Sequence, residues 1–286
     1  MRNKKIIPYL LLAIVLIYIT IFIIRPLVDT IYKVFYKIDS LGQIIEFVGM
    51  MNLKEIINDP EFHQAIKNSL LYVIITVPLS KILGLLLAIL SRKKSFLSPV
   101  YEALYAMPIA IATPTICMIF SLMYSPNIGL INNLIGEKIQ WLRDPNLALI
   151  SVSLVGIWIS TGHAFVFFLP AIRSIPQSIL DSSVIDVMNF IQKVKYVYYP
   201  FVSPVFFYLL VMDIPGGMMM MSISNILTAG GPDNSTMTIM LYIYRKISAV
   251  GNYTLANAAT LVAIVMMLVV MIIIFRLEKR IVYYNE

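Results

Sequence analysis

The sequence predicts an all-α integral membrane protein with six transmembrane helices, and three observations carry that prediction. First, 59% of the 286 residues are hydrophobic and 13% are charged, with a mean hydropathy of +0.85. A soluble domain usually carries about 25% charged residues. Second, six apolar runs approach or exceed the length of about 20 residues that a helix needs to cross a bilayer. They cover roughly 8–29, 69–90, 100–124, 147–171, 202–226 and 255–276. Third, the cations are unevenly shared between the two sets of connecting segments.

The first run follows Arg2, Lys4 and Lys5, as the core of a signal peptide would. It is too long for such a core, and no small-x-small cleavage site follows, so it reads as an uncleaved first span. Residues 30–68 form a loop with little periodicity. Between spans three and four, residues 125–146 place Leu130, Ile131, Leu134 and Ile135 at helical spacing ahead of Trp141. That pattern predicts a short helix lying on the outer surface. Residues 227–254 form a third outer segment, opened by a Gly-Gly-Pro turn.

The charges orient this plan. One side receives Arg2, Lys4, Lys5, Arg92, Lys93, Lys94, Arg173, Lys193, Lys195, Arg276, Lys279 and Arg280, against the acids Glu102, Asp181, Asp186, Glu278 and Glu286. The other side receives nine cations offset by nine acids over longer loops. The positive-inside rule therefore places both termini in the cytoplasm. The formal charge of +7 reflects this topology and gives no reason to expect nucleic acid as a partner.

Residues 172–201 then join spans four and five on the cytoplasmic side. Ser174 and Gln177 read as a capping box with Pro176 in the first turn. Ile179, Leu180, Ser183, Val184, Val187 and Met188 form a narrow apolar stripe. Such a helix can lie among lipid headgroups or enter a groove on a partner protein.

No catalytic set, metal cluster or cofactor motif stands out. Cys117 is alone, which excludes an internal disulfide. His163 in span four reads as a polar side chain satisfied between helices. No Gly-rich phosphate loop ending in Lys-Ser/Thr is present, so ATP hydrolysis is not expected on this chain. In span five, Pro215, Gly216 and Gly217 precede four methionines. They predict either a kink or a broken helix whose freed carbonyls face a cavity. Lys81 and Asp213 are the charges deepest inside predicted spans. Each lies ten residues from the same membrane surface, so they are expected either to pair or to be satisfied separately.

At this point the sequence resembles the permease subunit of binding-protein-dependent ABC importers, in the branch for oligosaccharides, maltose and glycerol phosphate. That family's cytoplasmic loop reads Glu-Ala-Ala, three residues, Gly, nine residues, Ile-x-Leu-Pro. Asp181-Ser182-Ser183, Ile185-Asp186 and Val197-x-Tyr199-Pro200 fall in register with it. "SPNIGLINNLIG", "WLRDPNLAL", "GIWISTGHAFVFFLPAIRSIP" and "LTAGGPDNSTMTIMLYIYR" also resemble this branch, so the likeness covers roughly 66–280.

The resemblance implies a division into a first span with its outer loop (1–65), a permease core (66–280) and a cytoplasmic tail (281–286). It implies a coupling helix over Asp181, Ser182, Ser183, Val184, Ile185, Asp186, Val187 and Met188. It implies a translocation path along Asp213, Gly216, Gly217, Met218, Met219, Met220, Met221, Ser222 and Asn225, where a flexible thioether lining either holds varied ligands or lets substrate pass. Gly230, Gly231, Pro232, Asp233 and Asn234 form either a solvated turn or part of the face that meets the binding protein.

The expected partners are a second permease subunit in a heterodimer, two ATPase subunits carrying ATP and magnesium, an extracytoplasmic solute-binding protein and the lipid of a bacterial cytoplasmic membrane. The cargo class is sugars or oligosaccharides. The alternatives are an ion-coupled secondary transporter, favoured only by Asp213 and Lys81, and an intramembrane enzyme, for which no convergent acids, His or Cys exist. One departure is evident: Val187 stands where the family has Gly. A β-branched residue resists positive φ, so the turn is expected to move to Asn189 or the helix to run on.

Overall fold

The computed structural model describes residues 6–283. Arg2, Lys4, Lys5 and Glu286, which contribute to the charge asymmetry, lie outside the described residues.

Contacts divide the chain into two compact units, Met1–His63 with Tyr242–Met266, and Gln64–Leu241 with Met267–Glu286. The elements in chain order begin with α1 (Ile6–Ile19), a π-turn (Thr20–Ile24) and α2 (Arg25–Lys33). Together these give the first apolar span, Leu12–Lys33.

The first unit contains an exception to the all-helical expectation. A hairpin of β1 (Tyr36–Ile38) and β2 (Ile44–Phe47) pairs Tyr36 with Phe47 and Lys37 with Glu46. The Tyr36 and Phe47 rings meet edge-on at 5.3 Å. Asp39 Oδ1 accepts from the backbone N–H of Leu41 and Gln43 across the turn, and Gly42 takes the required positive φ of 81°. The strands have three and four residues, too short to register as periodicity.

Helix α3 (Met51–Ile57) follows, and buried Asn52 donates to the carbonyls of Val34 and Tyr36. Asp59 then caps α4 (Pro60–Leu90): its Oδ1 accepts from the N–H of Glu61 at 2.7 Å, and its Oδ2 accepts from Tyr242 Oη at 2.5 Å. Lys246 Nζ lies 2.9 Å from Glu61 Oε2 and 4.7 Å from the centre of the Tyr242 ring. Burial alone would raise the Asp59 pKa. The hydrogen bonds from Tyr242, Phe62 and Glu61, with the charge of Lys246, outweigh it and hold the carboxyl below its ordinary value.

In the second unit the predicted third span is not one helix. It is α5 (Ser98–Ala110) and α6 (Thr113–Met123), bent by 103° at the junction. Ile111 and Ala112 are extended, with ψ of 132° and 136°. Pro114 explains the position of the bend: it has no N–H for the carbonyl of Ala110 four residues back and its ring would clash there, whereas it sits comfortably in the first turn of a new helix. Helix α7 (Leu130–Ile135) is the predicted short surface helix, with Leu130, Leu134 and Ile135 exposed. It ends at Gly136 with φ 81°, and Asn132 anchors it by accepting from Trp141 Nε1 at 2.7 Å.

Helix α8 (Pro145–Arg173), capped by Asp144, packs against α5, α6, α11 and α12 and forms the centre of this unit. Small residues permit this. A Cβ on Gly84 of α4 would lie 2.6 Å from Ala164 Cβ, and one on Gly156 would collide with the Tyr72 hydroxyl. Close backbone approach substitutes for a hydrophobic driving force between helices in lipid.

After α8 come α9 (Gln177–Ile185), α10 (Phe190–Lys193), a π-turn (Val194–Tyr198), α11 (Tyr199–Met218), α12 (Ser222–Thr228), α13 (Ile239–Ser248) and α14 (Tyr253–Ile281). Among the described residues, five helices are long and apolar enough to span a membrane, or six counting the bent pair as one. The predicted fifth span stops at Met218 rather than near residue 226. The predicted capping box does not form: Ser174 Oγ donates to the carbonyl of Ala171. Pro176 lacks an N–H and sits at the N-cap itself, and Gln177 turns to other partners.

Candidate functional site

The Pro-Gly-Gly sequence of α11 does not itself interrupt the helix. The helix continues to Met218, and the break falls at Met219–Met221 before α12 begins at Ser222. Gly217 serves a close approach, since a Cβ there would lie 2.9 Å from Val73 Cγ2 on α4. A freed carbonyl finds a partner inside the protein: Thr238 Oγ1 donates to Met220 O at 2.6 Å. Ser224 Oγ also donates to Thr236 O. Irregular backbone at membrane depth needs partners of this kind.

A cavity of about 300 Å³ opens beside the break. Its wall carries Asp213, Gly216, Gly217, Met219, Met220, Met221 and Ser222 from the predicted path. Tyr72, Thr76 and Val77 of α4, Thr113 of α6, Ile159 and Ser160 of α8, and Ile223 complete it. Met218 points into the protein at 1% exposure, and neither it nor Asn225 reaches the wall. A Cβ on Gly216 would meet nothing within 4 Å, so this residue leaves room in the cavity.

The polar wall from α4 was overlooked in the sequence, although a signal existed. Asn68, Tyr72, Thr76 and Ser80 recur every four residues along an otherwise apolar span, which places them on one helical face.

Lys81 and Asp213 do pair. Lys81 Nζ donates to Asp213 Oδ2, and His163 Nδ1 lies 3.8 Å from Asp213 Oδ1. The lysine side chain is 1% exposed and the aspartate 17%. One carboxylate thus ties α4 to α11 and stands beside α8. The lining includes no Arg or Lys.

The predicted coupling segment divides into two faces. Leu180 and Ser183 are buried against the protein, with Met188 partly so. Val184, Ile185 and Val187 are 64%, 80% and 87% exposed. The apolar stripe read from the sequence is therefore split, and Phe190 and Ile191 of α10 extend the exposed part. Asp181, Ser182 and Asp186 are exposed beside it.

Val187 overturns the expectation about its turn. Its φ is +52°, and it occupies the left-handed position that ends α9. The N–H of Met188 donates to Ser183 O at 3.2 Å, and the N–H of Val187 donates to Val184 O at 3.0 Å. This is the helix ending normally completed by Gly. Asn189 is not free to take the turn, because it caps α10 in a reciprocal capping box with Gln192.

The loop at Gly230–Asn234 is held from behind. Asn68 donates to the carbonyls of Asn234 and Met237 at 2.8 and 2.9 Å. Asp233 is the exposed member of this group, while Thr236, Met237, Thr238 and Ile239 are buried.

Residues 80–283 match the family model for the binding-protein-dependent transport system inner membrane component. The chain is 29% identical over 284 residues to the sn-glycerol-3-phosphate transport system permease protein UgpA of Pectobacterium atrosepticum, covering 97% of this chain and 96% of that one. It is 27% identical to the probable ABC transporter permease protein YurN of Bacillus subtilis, covering 86% of each. It is 28% identical to the lactose transport system permease protein LacF of Rhizobium radiobacter, covering 79% and 78%. Its fold matches a chain in the crystal structure of a bacterial ABC transporter that imports the polysaccharide alginate, with a TM-score of 0.83, 20% identity and coverage of 98% and 97%.

Proposed function

We propose, from the premise that this chain belongs to the family of binding-protein-dependent transport system inner membrane components, that it forms half of a translocation path for a neutral sugar or short oligosaccharide. The family sets aside the ion-coupled transporter. The substrate class rests on Asp213. A carboxylate stands on the cavity wall, its lysine partner is sealed away at 1% exposure, and no other Lys or Arg lines the cavity. A phosphate or uronate entering here would meet a carboxylate already neutralised by Lys81 and no free cation to pair with. Hydroxyls would meet Thr76, Thr113, Ser160 and Ser222, groups that both donate and accept.

In this reading the exposed face of Val184, Ile185 and Val187 docks on one of two ATPase subunits, which carry the ATP and magnesium. A second, different permease supplies the other half of the path. The solute-binding protein delivers cargo near Asp233, and both termini lie in the cytoplasm. Closure of the ATPase dimer moves α9 and α10, and α8 and α11 carry that motion to the cavity. This chain contributes path and coupling, and no bond-making chemistry.

The test is substrate-stimulated ATP hydrolysis by the reconstituted complex with its binding protein. A neutral disaccharide should stimulate hydrolysis and be taken up, and glycerol phosphate should do neither. Stimulation by the anion alone would overturn the substrate class.

A further inference from the structure

We propose that the cleft lined by Arg92, Lys93, Arg173 and Gln177 binds the phosphate of an anionic phospholipid headgroup. The cleft has a volume of about 210 Å³ and lies where the end of α4, the end of α8 and the start of α9 meet. Its charges are not balanced. Glu102 is occupied by Arg173, whose Nη2 lies 2.5 Å from Glu102 Oε1 and also donates to Ser91 O at 2.9 Å. Asp181 accepts from Gln177 Nε2 at 2.7 Å. Arg92 donates only to a neutral group, Gln177 Oε1 at 2.9 Å. Its Nε is shielded from solvent and has no hydrogen-bond partner. Lys93 is exposed, and among the described residues neither it nor Arg92 has a carboxylate within ion-pair distance. A tetrahedral oxyanion supplies the acceptors that this guanidinium lacks.

An independent observation identifies the anion as lipid. Phe96 is 97% exposed and Leu97 61%, immediately beside these cations. Their loop has a defined shape: Ser95 N donates to Ser98 Oγ at 2.6 Å, Ser98 Oγ shares a hydrogen bond with Tyr101 Oη at 2.7 Å, and Tyr101 Oη donates to Lys93 O at 3.3 Å. A fixed aromatic-aliphatic pair beside a basic cleft matches the two layers of a membrane surface, acyl chain below and phosphate above. The site also touches the coupling region, because a phosphate on Arg92 competes with Gln177, the first residue of α9.

The test uses the complex purified through a tag on this chain and reconstituted in vesicles, with Phe96→Trp as a reporter and the unsubstituted complex as the background for Trp141 and Trp158. Brominated phosphatidylglycerol should quench the reporter more strongly than brominated phosphatidylcholine, with local enrichment of about fivefold for each engaged cation. Lys93→Gln, at an exposed side chain, should remove about one such factor. Adding Arg92→Gln should erase the preference and leave quenching by phosphatidylcholine intact. Equal quenching by both lipids in the Phe96→Trp complex overturns the phosphate site. Loss of the preference on adding soluble glycerol phosphate assigns the cleft to a free phosphate and overturns the lipid assignment. Absence of quenching by either lipid places Phe96 under a protein partner and overturns it as well.

Discussion

Removing either member of the Lys81–Asp213 pair should destabilise the protein, and the two removals should not be equal. Breaking one partner of a buried ion pair costs about 3–5 kcal/mol, because the other is left as an uncompensated charge. Asp213→Asn strands the Lys81 ammonium at 1% exposure. That variant belongs at the upper end, a drop of about a thousandfold or more in the folded-to-unfolded ratio. Lys81→Met strands a carboxylate that is 17% exposed, opens on the cavity and has His163 Nδ1 at 3.8 Å. The carboxylate faces the cavity and can accept a hydrogen bond there, so the loss falls to about 2–3 kcal/mol. The double variant should be more stable than Asp213→Asn, because no isolated charge remains and Met follows the path of the lysine stem. Thermal unfolding of the purified complex, with the amount of chain found in membranes, gives the ranking. If Asp213→Asn proves the milder single substitution, or the double variant is no better than the worse single one, the reasoning fails.

Val187→Gly should raise the thermal midpoint, because the left-handed turn that now holds a β-branched residue costs about 1–2 kcal/mol for an L-amino acid; an unchanged or lower midpoint would contradict the strain. Ile185→Glu should leave the subunit folded and abolish ATPase coupling, whereas Ser183→Glu should reduce the amount of folded chain, since Ser183 is 2% exposed; coupled transport in the Ile185 variant would remove the docking face. The clasp of Asp59, Tyr242, Glu61 and Lys246 should lose stability at both pH extremes. Asp59 has a lowered pKa, so its contribution is full above about 4, the unfolded value, and fades as pH falls through the folded one. Burial and the bond to Asp59 raise the Tyr242 pKa, so that contribution is full below about 10 and fades as pH rises further. Proteolysis of the outer segments across pH reads both edges, and a flat profile would refute the clasp.

The legible parts of the fold are those that repeat or carry charge. Six apolar runs and the depth of Lys81 and Asp213 could be counted directly, because a membrane imposes length on a span and a partner on a buried charge. The position of the bend at Ile111–Ala112 and the orientation of the α9 stripe could not. Pro108, Pro114 and Pro78 are all prolines inside or beside apolar runs, yet only the junction before Pro114 breaks, while the helices run on through Pro78 and Pro108. The two faces of α9 were indistinguishable because Leu180 and Val184 are equally apolar; only the core beneath decides which is covered. The cavity wall from α4 was readable in principle, since Tyr72 and Thr76, which line it, belong to a four-residue polar repeat running from Asn68 to Ser80.

The bend between α5 and α6 bears on how the chain is made. The two helices have 13 and 11 residues, about 20 and 17 Å of helix, and neither reaches across a hydrocarbon layer of about 30 Å. The extended backbone between them exposes amide groups that lipid cannot satisfy. Residues 98–123 are therefore poor cargo for the insertion machinery when they first emerge. They become stable at depth only against α8, where Tyr105 meets Phe165 with ring centres 5.4 Å apart. Synthesis order then matters: a nascent chain halted before residue 145 should leave this segment accessible to modification from water, and one released after residue 173 should not. The third span is settled in the bilayer by the fourth.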